Sequence, residues 1–212
     1  MSTLEAIASH LERGEHDEVR ALTETALAES LDAVTILDQG LIAGMQIVGE
    51  QFRKHEIFLP DVLMAAKAMN AGLEVLEPHL SAAEIASHGK VVIGTVKGDL
   101  HDIGKNLVGI MLAGAGFEVI DLGKDVPPEK FVDTAAESGA DVIGMSALLT
   151  TTMPGMRAVV DLVKERGLDG SVRTVIGGAP VTPEYAAEIG ADGYSFDAAN
   201  AVECVKRLVE ES

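Results

Sequence analysis

Cysteine is nearly missing from this sequence, which contains a single one, Cys204, among 212 residues. One thiol excludes an internal disulfide framework, and it also excludes a zinc or iron–sulfur site built from several cysteines of this chain. Cys204 falls on the apolar side of the last predicted helix, where a small buried hydrophobe is a more common role than a nucleophile. The sequence therefore predicts no thiol chemistry.

Basic and aromatic residues are scarce as well. The chain has 16 Lys and Arg against 34 Asp and Glu, a net charge of −18, and 3% aromatic residues with no Trp. Phosphate backbones are held by clustered Lys and Arg, and unpaired bases by aromatic stacking. We therefore expect no nucleic-acid partner.

Long apolar runs are missing too. No segment approaches the roughly 20 apolar residues that span a bilayer, and the N-terminus lacks the basic start and continuous apolar core of a signal peptide. These absences predict a cytoplasmic protein with no membrane partner. The composition is nevertheless 47% hydrophobic with a mean hydropathy of +0.23, which is enough for one or two packed domains.

The first part of the chain has the periodicity of helices. Apolar residues recur three and four apart, and the pattern predicts helices over residues 3–13, 17–30 and 32–54, followed by a fourth that begins at Pro60 and ends before Pro78. Gly14 is the expected stop of the first helix. Short connections between such helices favour an antiparallel four-helix bundle, which we assign to a domain of residues 1–88.

The second part alternates apolar runs with helical segments, which is typical of a parallel sheet covered by helices on both faces. The runs are KVVIGTV, FEVIDLG, DVIGMSAL, VRTVIGG and the weaker GYSFD. The sequence thus predicts an α/β chain in which the bundle is followed by a flavodoxin-like or Rossmann-like, doubly wound sheet of five strands. This second domain is predicted over residues 89–212, with a connection near residues 81–89.

In such sheets a ligand binds beyond the carboxyl ends of the strands, where the strand order reverses. The loops at residues 97–104 and 146–152 should face one another there, with residues 177–180 beside them. The first loop reads KGDLHDIGKN. It has no GxGxxG, and it is not a P-loop because five residues separate Gly98 from Gly104 and Asn106 follows Lys105. Both nucleotide-binding interpretations are rejected.

The residues in these loops are each open to more than one interpretation. Asp99 lies two residues before His101, where a carboxylate can orient an imidazole that binds a metal, but a solvated or capping pair is more common. One of the threonines at 150–152 is expected to cap the helix that begins near Pro154. Gly177 and Gly178 follow the fourth strand, where a glycine pair permits close approach of a flat ligand or simply makes a tight turn.

Together these residues resemble a known family pattern. Asp-x-His-x-x-Gly at residues 99–104, Ser-x-Leu at residues 146–148 and the pair at residues 177–178 match, in order and spacing, the signature of corrinoid-binding domains in which a histidine replaces the cofactor's own base. The helical half, with VGEQFRKHEIFLPDVLMAAKAM, is similar to the helical cap of corrinoid methyl carriers. Nearly the whole chain therefore resembles the small corrinoid proteins of methylamine, methanol and aryl-ether methyltransferase systems, and the cobalamin-binding portion of methionine synthase.

The resemblance implies a role for each matching residue. His101 is the expected lower axial ligand of cobalt in a base-off, His-on corrinoid, Asp99 is expected to bind the other ring nitrogen, and Thr152 to extend that relay. The remaining residues implied to contact the cofactor are Asp102, Ile103 and Gly104 in the same loop; Ser146, Leu148 and Thr150 along the nucleotide tail; and Gly177 and Gly178 near its base.

The helical half is implied to cover the upper face of the corrin. Phe58, Leu59, Met64 and Met69 are candidates for that cover. For Met64 and Met69, ordinary bundle core is the expected role, whereas Phe58, beside Pro60 at a helix start, is predicted to face the cofactor.

The resemblance also implies the function. A substrate-specific methyltransferase places a methyl group on cob(I)amide of such a carrier, and a second methyltransferase passes it to tetrahydrofolate or coenzyme M, with a reductive activator for Co(II). A cobalamin-responsive sensor is the alternative, although the sequence lacks the basic DNA-binding segment it needs. A third possibility is a receiver-like or metal-free Rossmann module. Under that interpretation, the match of the three motifs in order and spacing would be a coincidence.

Overall fold

A computed structural model describes residues 2–81 and 88–211. Its packing divides the chain into two units, Met1–Ser87 with Ala113–Phe117, and His88–Leu112 with Glu118–Ser212. The predicted connection near residues 81–89 falls mostly on residues 82–87, which lie outside the described residues. No helix within the described ranges is long and apolar enough to span a bilayer.

The first unit is a helical bundle, as predicted. In chain order its elements are α1 (Thr3–Glu12), α2 (His16–Ala28), α3 (Ala33–Ile36), a π-helical turn (Leu37–Ile42), α4 (Ala43–Arg53), α5 (Leu59–Leu76) and a 3₁₀ turn (Glu77–His79). Gly14, at φ +70°, stands just after α1, as its sequence position predicted. The single helix predicted over residues 32–54 contains the π-helical turn between α3 and α4.

The π-helical turn coincides with a close contact between helices. A Cβ on Gly40 would lie 3.1 Å from Cγ2 of Ile7, so the missing side chain lets α1 approach this turn. An apolar pattern does not reveal such a turn, because apolar residues continue on both sides of it and only their phase changes. The helix predicted over residues 32–54 is thus present as one helical run over residues 33–53, and only its π-helical part was not predicted.

Apolar side chains fill the centre of the bundle. Ile7, Leu11 and Leu76 are fully buried. Met69 is 4% exposed, which confirms its prediction as core, but Met64 is 46% exposed, so the same prediction for Met64 was wrong. The reason is that Met64 lies with Leu63 on the exposed side of α5, whereas Val62, Ala65 and Met69 face the core.

The second unit is a five-stranded parallel sheet in the order β2-β1-β3-β4-β5, which confirms the predicted fold. Its elements are β1 (Lys90–Thr95), α6 (Ile103–Gly114), β2 (Glu118–Asp121), α7 (Pro128–Ser138), β3 (Val142–Ser146), α8 (Pro154–Glu165), β4 (Arg173–Gly177), α9 (Pro183–Ile189), β5 (Gly193–Ser195) and α10 (Ala198–Glu210). Consecutive strands β1 and β2 lie on one side of β3, and β4 and β5 on the other, so the order reverses between β1 and β3.

Both faces of the sheet are covered, which explains the near-continuous apolar strands. Val92, Ile143 and Ile176 pack with side chains from α7, α8 and α9 in one core cluster. Alternate positions pack against the other helices; a Cβ on Gly193, for example, would lie 2.6 Å from Sγ of Cys204 in α10. Cys204 is buried, as predicted. With both faces occupied, the carboxyl edge of the sheet is where loops can present functional side chains.

Candidate functional site

Three loops meet at the carboxyl edge of the sheet. The loop after β1 carries Asp99, whose Oδ2 accepts a hydrogen bond of 2.7 Å from the backbone N–H of Leu148 after β3. The backbone N–H of Ala147 in turn donates to the carbonyl of Gly177 at the end of β4 (3.3 Å). The structure therefore brings together the three loops that the sequence predicts at this edge.

Asp99 is the centre of this meeting point. Its side chain is fully buried, and each carboxylate oxygen accepts two hydrogen bonds. Oδ1 accepts from the backbone N–H of His101 (3.0 Å) and lies 2.8 Å from its Nδ1. Oδ2 accepts from the hydroxyl of Thr152 (2.7 Å) as well as from Leu148. A buried carboxylate with four partners is rigidly held.

These partners determine the charge of Asp99. Burial alone raises the pKa of its carboxyl, but hydrogen bonds from the backbone N–H groups of His101 and Leu148, from the Thr152 hydroxyl and from the His101 ring outweigh it, so the pKa lies well below its usual range. An ionised carboxylate accepts hydrogen bonds and donates none. The Nδ1 of His101 must therefore carry a proton.

The His101 ring is oriented by that bond. With the proton on Nδ1, a neutral imidazole has its lone pair on Nε2, which is the form that ligates a metal. The side chain is 53% exposed although its carboxylate partner is buried. The site thus presents at the surface one ring nitrogen whose lone pair is free, and the buried carboxylate fixes its tautomer.

Thr95 also holds the His101 loop, and the sequence interpretation missed it. Its buried hydroxyl, at the end of β1, donates a hydrogen bond of 3.0 Å to the carbonyl of His101. A hydroxyl closing an otherwise apolar buried strand was the available signal. Thr95 restrains the backbone of the same residue whose ring is held by Asp99.

The expectation that a threonine at 150–152 caps α8 was wrong. The N-cap is Met153, whose side chain makes no capping bond. The reason is that helical turning begins earlier: the backbone N–H of Thr152 already donates to Leu149 (3.0 Å), and Met153 has helical angles of −51° and −35°. The Thr152 hydroxyl, 9% exposed, binds Asp99 instead.

Gly178 is required by the chain itself. At φ +133° it has a backbone conformation that other residues rarely adopt, and a Cβ there would lie 1.9 Å from the carbonyl oxygen of Ala147. Gly177 is tight as well, since a Cβ would lie 3.0 Å from the carbonyl of Ser195. Packing between the loops after β3, β4 and β5 therefore explains both glycines without any ligand.

The other residues named in the loop after β1 surround His101 in sequence. Asp102 is half-buried, and its carbonyl accepts from the backbone N–H of Asn106 (2.8 Å) at the start of α6. Ile103 is 73% exposed, and Gly104 is also exposed, so that a Cβ added to it would have no atom within 4 Å. These three residues lie at the start of α6 and leave open space on its surface.

The residues named after β3 lie at the opposite side of the strand reversal. Ser146 is half-buried and is aligned with Thr95 in β1 and Gly177 in β4. Leu148 is 43% exposed, and Thr150 is exposed.

Phe58 lies in the helical unit, where it is the N-cap residue of α5. Its side chain is 67% exposed, and its backbone N–H donates a hydrogen bond to Asp61 (2.8 Å).

Large exposed apolar side chains accompany His101. In the described part of the sheet unit, every large apolar side chain that is exposed lies just after the carboxyl end of β1, β3 or β5. These residues are Leu100, Ile103, Leu148, Leu149 and Phe196. No group of three or more His, Cys, Asp or Glu that could hold a metal ion occurs in residues 2–81 and 88–211. One imidazole among apolar side chains fits a metal that arrives with its own large, flat chelating ring.

The comparisons with known proteins name such a group. A family model described as a B12 binding domain matches residues 89–203, which include every loop of this edge, and a second model with the same description matches residues 3–77 of the helical half. B12 is a corrin ring that holds cobalt, so the single imidazole and the apolar surroundings of His101 fit it.

Individual relatives agree with the family match. A corrinoid protein of Desulfitobacterium hafniense is 44% identical over 212 residues, 99% of this chain and 98% of that protein. Dimethylamine corrinoid protein 1 of Methanosarcina acetivorans is 50% identical over 194 residues, 91% of each chain. A chain in the methanol:cobalamin methyltransferase complex of Methanosarcina barkeri is 31% identical with a TM-score of 0.89, covering 99% of this chain and 80% of that one. The chain belongs to the family of B12-binding corrinoid proteins.

Proposed function

We propose that this protein is the methyl carrier of a corrinoid-dependent methyltransferase system. Bound corrinoid supplies a cobalt ion that takes a methyl group from one molecule and gives it to another. The similar proteins support this proposal, because one is named for dimethylamine and another is part of a methanol:cobalamin methyltransferase complex. The partners are a substrate-specific methyltransferase, a second methyltransferase acting on tetrahydrofolate or coenzyme M, and a reductive activator.

We further propose that the corrinoid is held base-off and His-on, with Nε2 of His101 as the lower axial ligand. The observation that carries this proposal is the pairing of a half-exposed imidazole with a fully buried, ionised Asp99. That pairing keeps the proton on Nδ1 and leaves the outward nitrogen free to bind metal. A surface histidine without such a partner exchanges between two tautomers.

Asp99 and Thr152 act on the metal through the imidazole. The negative charge of Asp99 strengthens the hydrogen bond that the Nδ1–H of His101 donates to it, and this raises the electron density on Nε2. The Thr152 hydroxyl donates to Oδ2 of Asp99 and so keeps Oδ1 facing His101. The Asp99 carboxylate would keep the ring in the same orientation whether or not Nε2 is bound to a metal.

The other assignments are proposals of the same kind. Asp102, Ile103 and Gly104 lie beside the corrin, while residues 146, 148 and 150 follow the nucleotide tail and residues 177–178 face its base. Phe58, in the helical domain of residues 1–88, is a further proposed contact of the cofactor, and residues 89–212 form the proposed binding domain. We place the protein in the cytoplasm, where both methyltransferases and the activator would meet it.

Axial ligation can be tested by electron paramagnetic resonance of the Co(II) form. The protein is grown with histidine labelled with ¹⁵N in the ring and loaded with cobalamin of natural isotopic composition. An axial ¹⁴N splits each cobalt line into a triplet, whereas an axial ¹⁵N splits it into a doublet. We expect doublets from the wild-type protein and no nitrogen splitting from His101→Ala.

The control variant is His79→Ala, which removes another exposed histidine, in the 3₁₀ turn of the helical unit. It should retain the doublets. Triplets in the labelled wild-type protein would mean that the cofactor's own base is the ligand, and they would overturn the His-on proposal.

Methyl carriage itself is tested by absorbance changes of the reduced, loaded protein during incubation with a methyltransferase and methylamines or methanol.

A further inference from the structure

Asp125 lies in the loop between β2 and α7, outside the three loops already assigned to the site. Its φ is +56°, in the left-handed region that favours glycine, although Asp and Asn tolerate it better than other residues. A non-glycine residue keeps such a conformation where the surrounding structure requires it. The carboxylate of Asp125 can accept hydrogen bonds, which glycine at this position could not do.

Asp125 makes two hydrogen bonds to the segment that carries Asp99. Its Oδ1 accepts from the backbone N–H of Gly98 at 2.7 Å, and its own backbone N–H donates to the carbonyl of Asp99 at 3.1 Å. Together they bind the backbone on each side of the Asp99 Cα. Leu148 and Thr152 hold the carboxylate of the same residue, so the backbone and the side chain of Asp99 have separate supports.

The loop that bears Asp125 is itself fixed to the sheet. The backbone N–H of Val126 donates to the carbonyl of Thr95 (3.0 Å), and the N–H of Thr95 donates to the carbonyl of Gly123 (2.9 Å). Asp121 accepts from the backbone N–H of Gly123 (2.8 Å) and pairs with Lys105, whose side chain is buried in the first turns of α6. Asp125 therefore holds the Asp99 segment against a rigid support.

We propose that Asp125 is a positioning residue for the metal ligand: its carboxylate fixes the backbone of Gly98 and Asp99 and so keeps Asp99 bonded to Nδ1 of His101. The inference rests on the proposed function insofar as it concerns the metal. For the ring tautomer it rests on the chain alone, because the bonds from Asp125 and the Asp99–His101 pair are made between residues of the chain itself.

Two substitutions separate the conformation of Asp125 from its hydrogen bond. Asp125→Gly adopts the left-handed conformation without strain but removes the acceptor. Asp125→Asn tolerates the same conformation and keeps an acceptor oxygen. Asp133→Asn is the control, because it neutralises a surface carboxylate that pairs with Arg166 away from this loop.

The first measurement uses the protein without cofactor, at a pH where the ring ¹⁵N shifts show His101 to be neutral. Ring ¹⁵N chemical shifts give the fraction of His101 protonated on Nδ1. A hydrogen bond to a charged acceptor is worth enough that its loss shifts an equilibrium about tenfold. We expect Asp125→Gly to lower the ratio of the Nδ1-protonated form to the other tautomer about tenfold, and Asp125→Asn and Asp133→Asn to leave it within about twofold.

The second measurement is the ratio of histidine-ligated to unligated Co(II) in the loaded protein, from the ¹⁵N splitting described above. It should fall about tenfold in Asp125→Gly and stay within about twofold in Asp125→Asn. An Asp125→Gly protein with wild-type values in both measurements would overturn the inference. If wild-type Co(II) shows no histidine splitting, axial ligation fails, while the tautomer measurement still decides the role of Asp125.

Discussion

Asp99→Asn is the most informative single substitution, because it keeps the shape of the side chain and removes its charge. The carboxylate accepts four hydrogen bonds, two at each oxygen. An amide has one accepting oxygen and one donating NH₂ group, so it cannot accept at both sides. Whichever way the amide turns, one pair of donors loses its acceptor.

The two orientations have different consequences. If the NH₂ group faces Leu148 and Thr152, the backbone N–H of Leu148 loses the buried carboxylate oxygen to which it donates at 2.7 Å. If it faces His101, the ring must accept at Nδ1, which moves its proton to Nε2 and blocks metal binding there. A buried donor without a partner costs about 1–3 kcal/mol, and weakening the remaining charge-assisted bonds adds about 1 kcal/mol. We expect Asp99→Asn to lower the free energy of unfolding by about 2–4 kcal/mol at neutral pH.

The difference between the two proteins should depend on pH. Because folding lowers the pKa of Asp99, its contribution to stability is complete above the pKa of an unfolded aspartate, near 4, and is lost as pH falls toward the lower pKa of the folded state. The amide that replaces it does not titrate, so the wild-type protein should lose its advantage over Asp99→Asn only below about pH 4.

Urea denaturation at several pH values measures this difference, and the Co(II) spectrum of each loaded protein measures ligation. Asp192→Asn is the matched control: Asp192 accepts from the backbone N–H and the hydroxyl of Thr174, at 2.8 and 2.9 Å, away from the site. Because both bonds end on one oxygen, Oδ2, an amide can keep them, so this variant should lose little stability and should keep histidine ligation. An Asp99→Asn protein as stable as wild type, with full histidine ligation, would refute the assigned role of Asp99.

Two further predictions follow from the same loops. Gly178→Ala should lower the free energy of unfolding, measured by urea denaturation, by about 3–5 kcal/mol, because backbone strain adds to the clash with Ala147. The control is Gly123→Ala, at φ +82° with no atom within 4 Å of the added Cβ, which should lower it by about 1 kcal/mol. Equal losses in the two variants would contradict the packing explanation. Thr152→Val removes one buried hydroxyl, so it should lower the free energy of unfolding by about 1 kcal/mol and also lower the histidine-ligated fraction of Co(II). Thr152→Ser keeps a hydroxyl and should preserve both values. Unchanged Co(II) spectra in Thr152→Val would exclude Thr152 from the relay.

The sheet and its ligand edge were predictable from the sequence because both depend on local patterns. Apolar runs separated by helical segments indicate a parallel sheet, and its strand order then places the loops after β1 and β3 together. Asp99 and His101 were singled out by their spacing and chemical type, whereas the role of Thr152 was implied only by the resemblance to corrinoid-binding domains; the structure joins all three by hydrogen bonds.

The supports of the site were not predictable in this way. Thr95 acts through the carbonyl of His101 and Asp125 through the N–H of Gly98, and backbone partners leave no pattern of matching side chains. The contact of Asp125 depends on the parallel bridge between Val96 and Val126, which brings together segments far apart in the chain. A φ of +56° is likewise not visible in an aspartate before it is folded.

Every acceptor position of Asp99 is already in use by donors of the chain itself. The imidazole therefore stands in its ligating form before any metal arrives, and the conformational entropy of arranging it is lost when the chain folds. Capture of the corrinoid then needs no rearrangement of this pair, which favours affinity in the way that a preorganised binding site does. Under the proposed ligation by His101, the ring nitrogen would keep the same position whether or not it is bound to the metal.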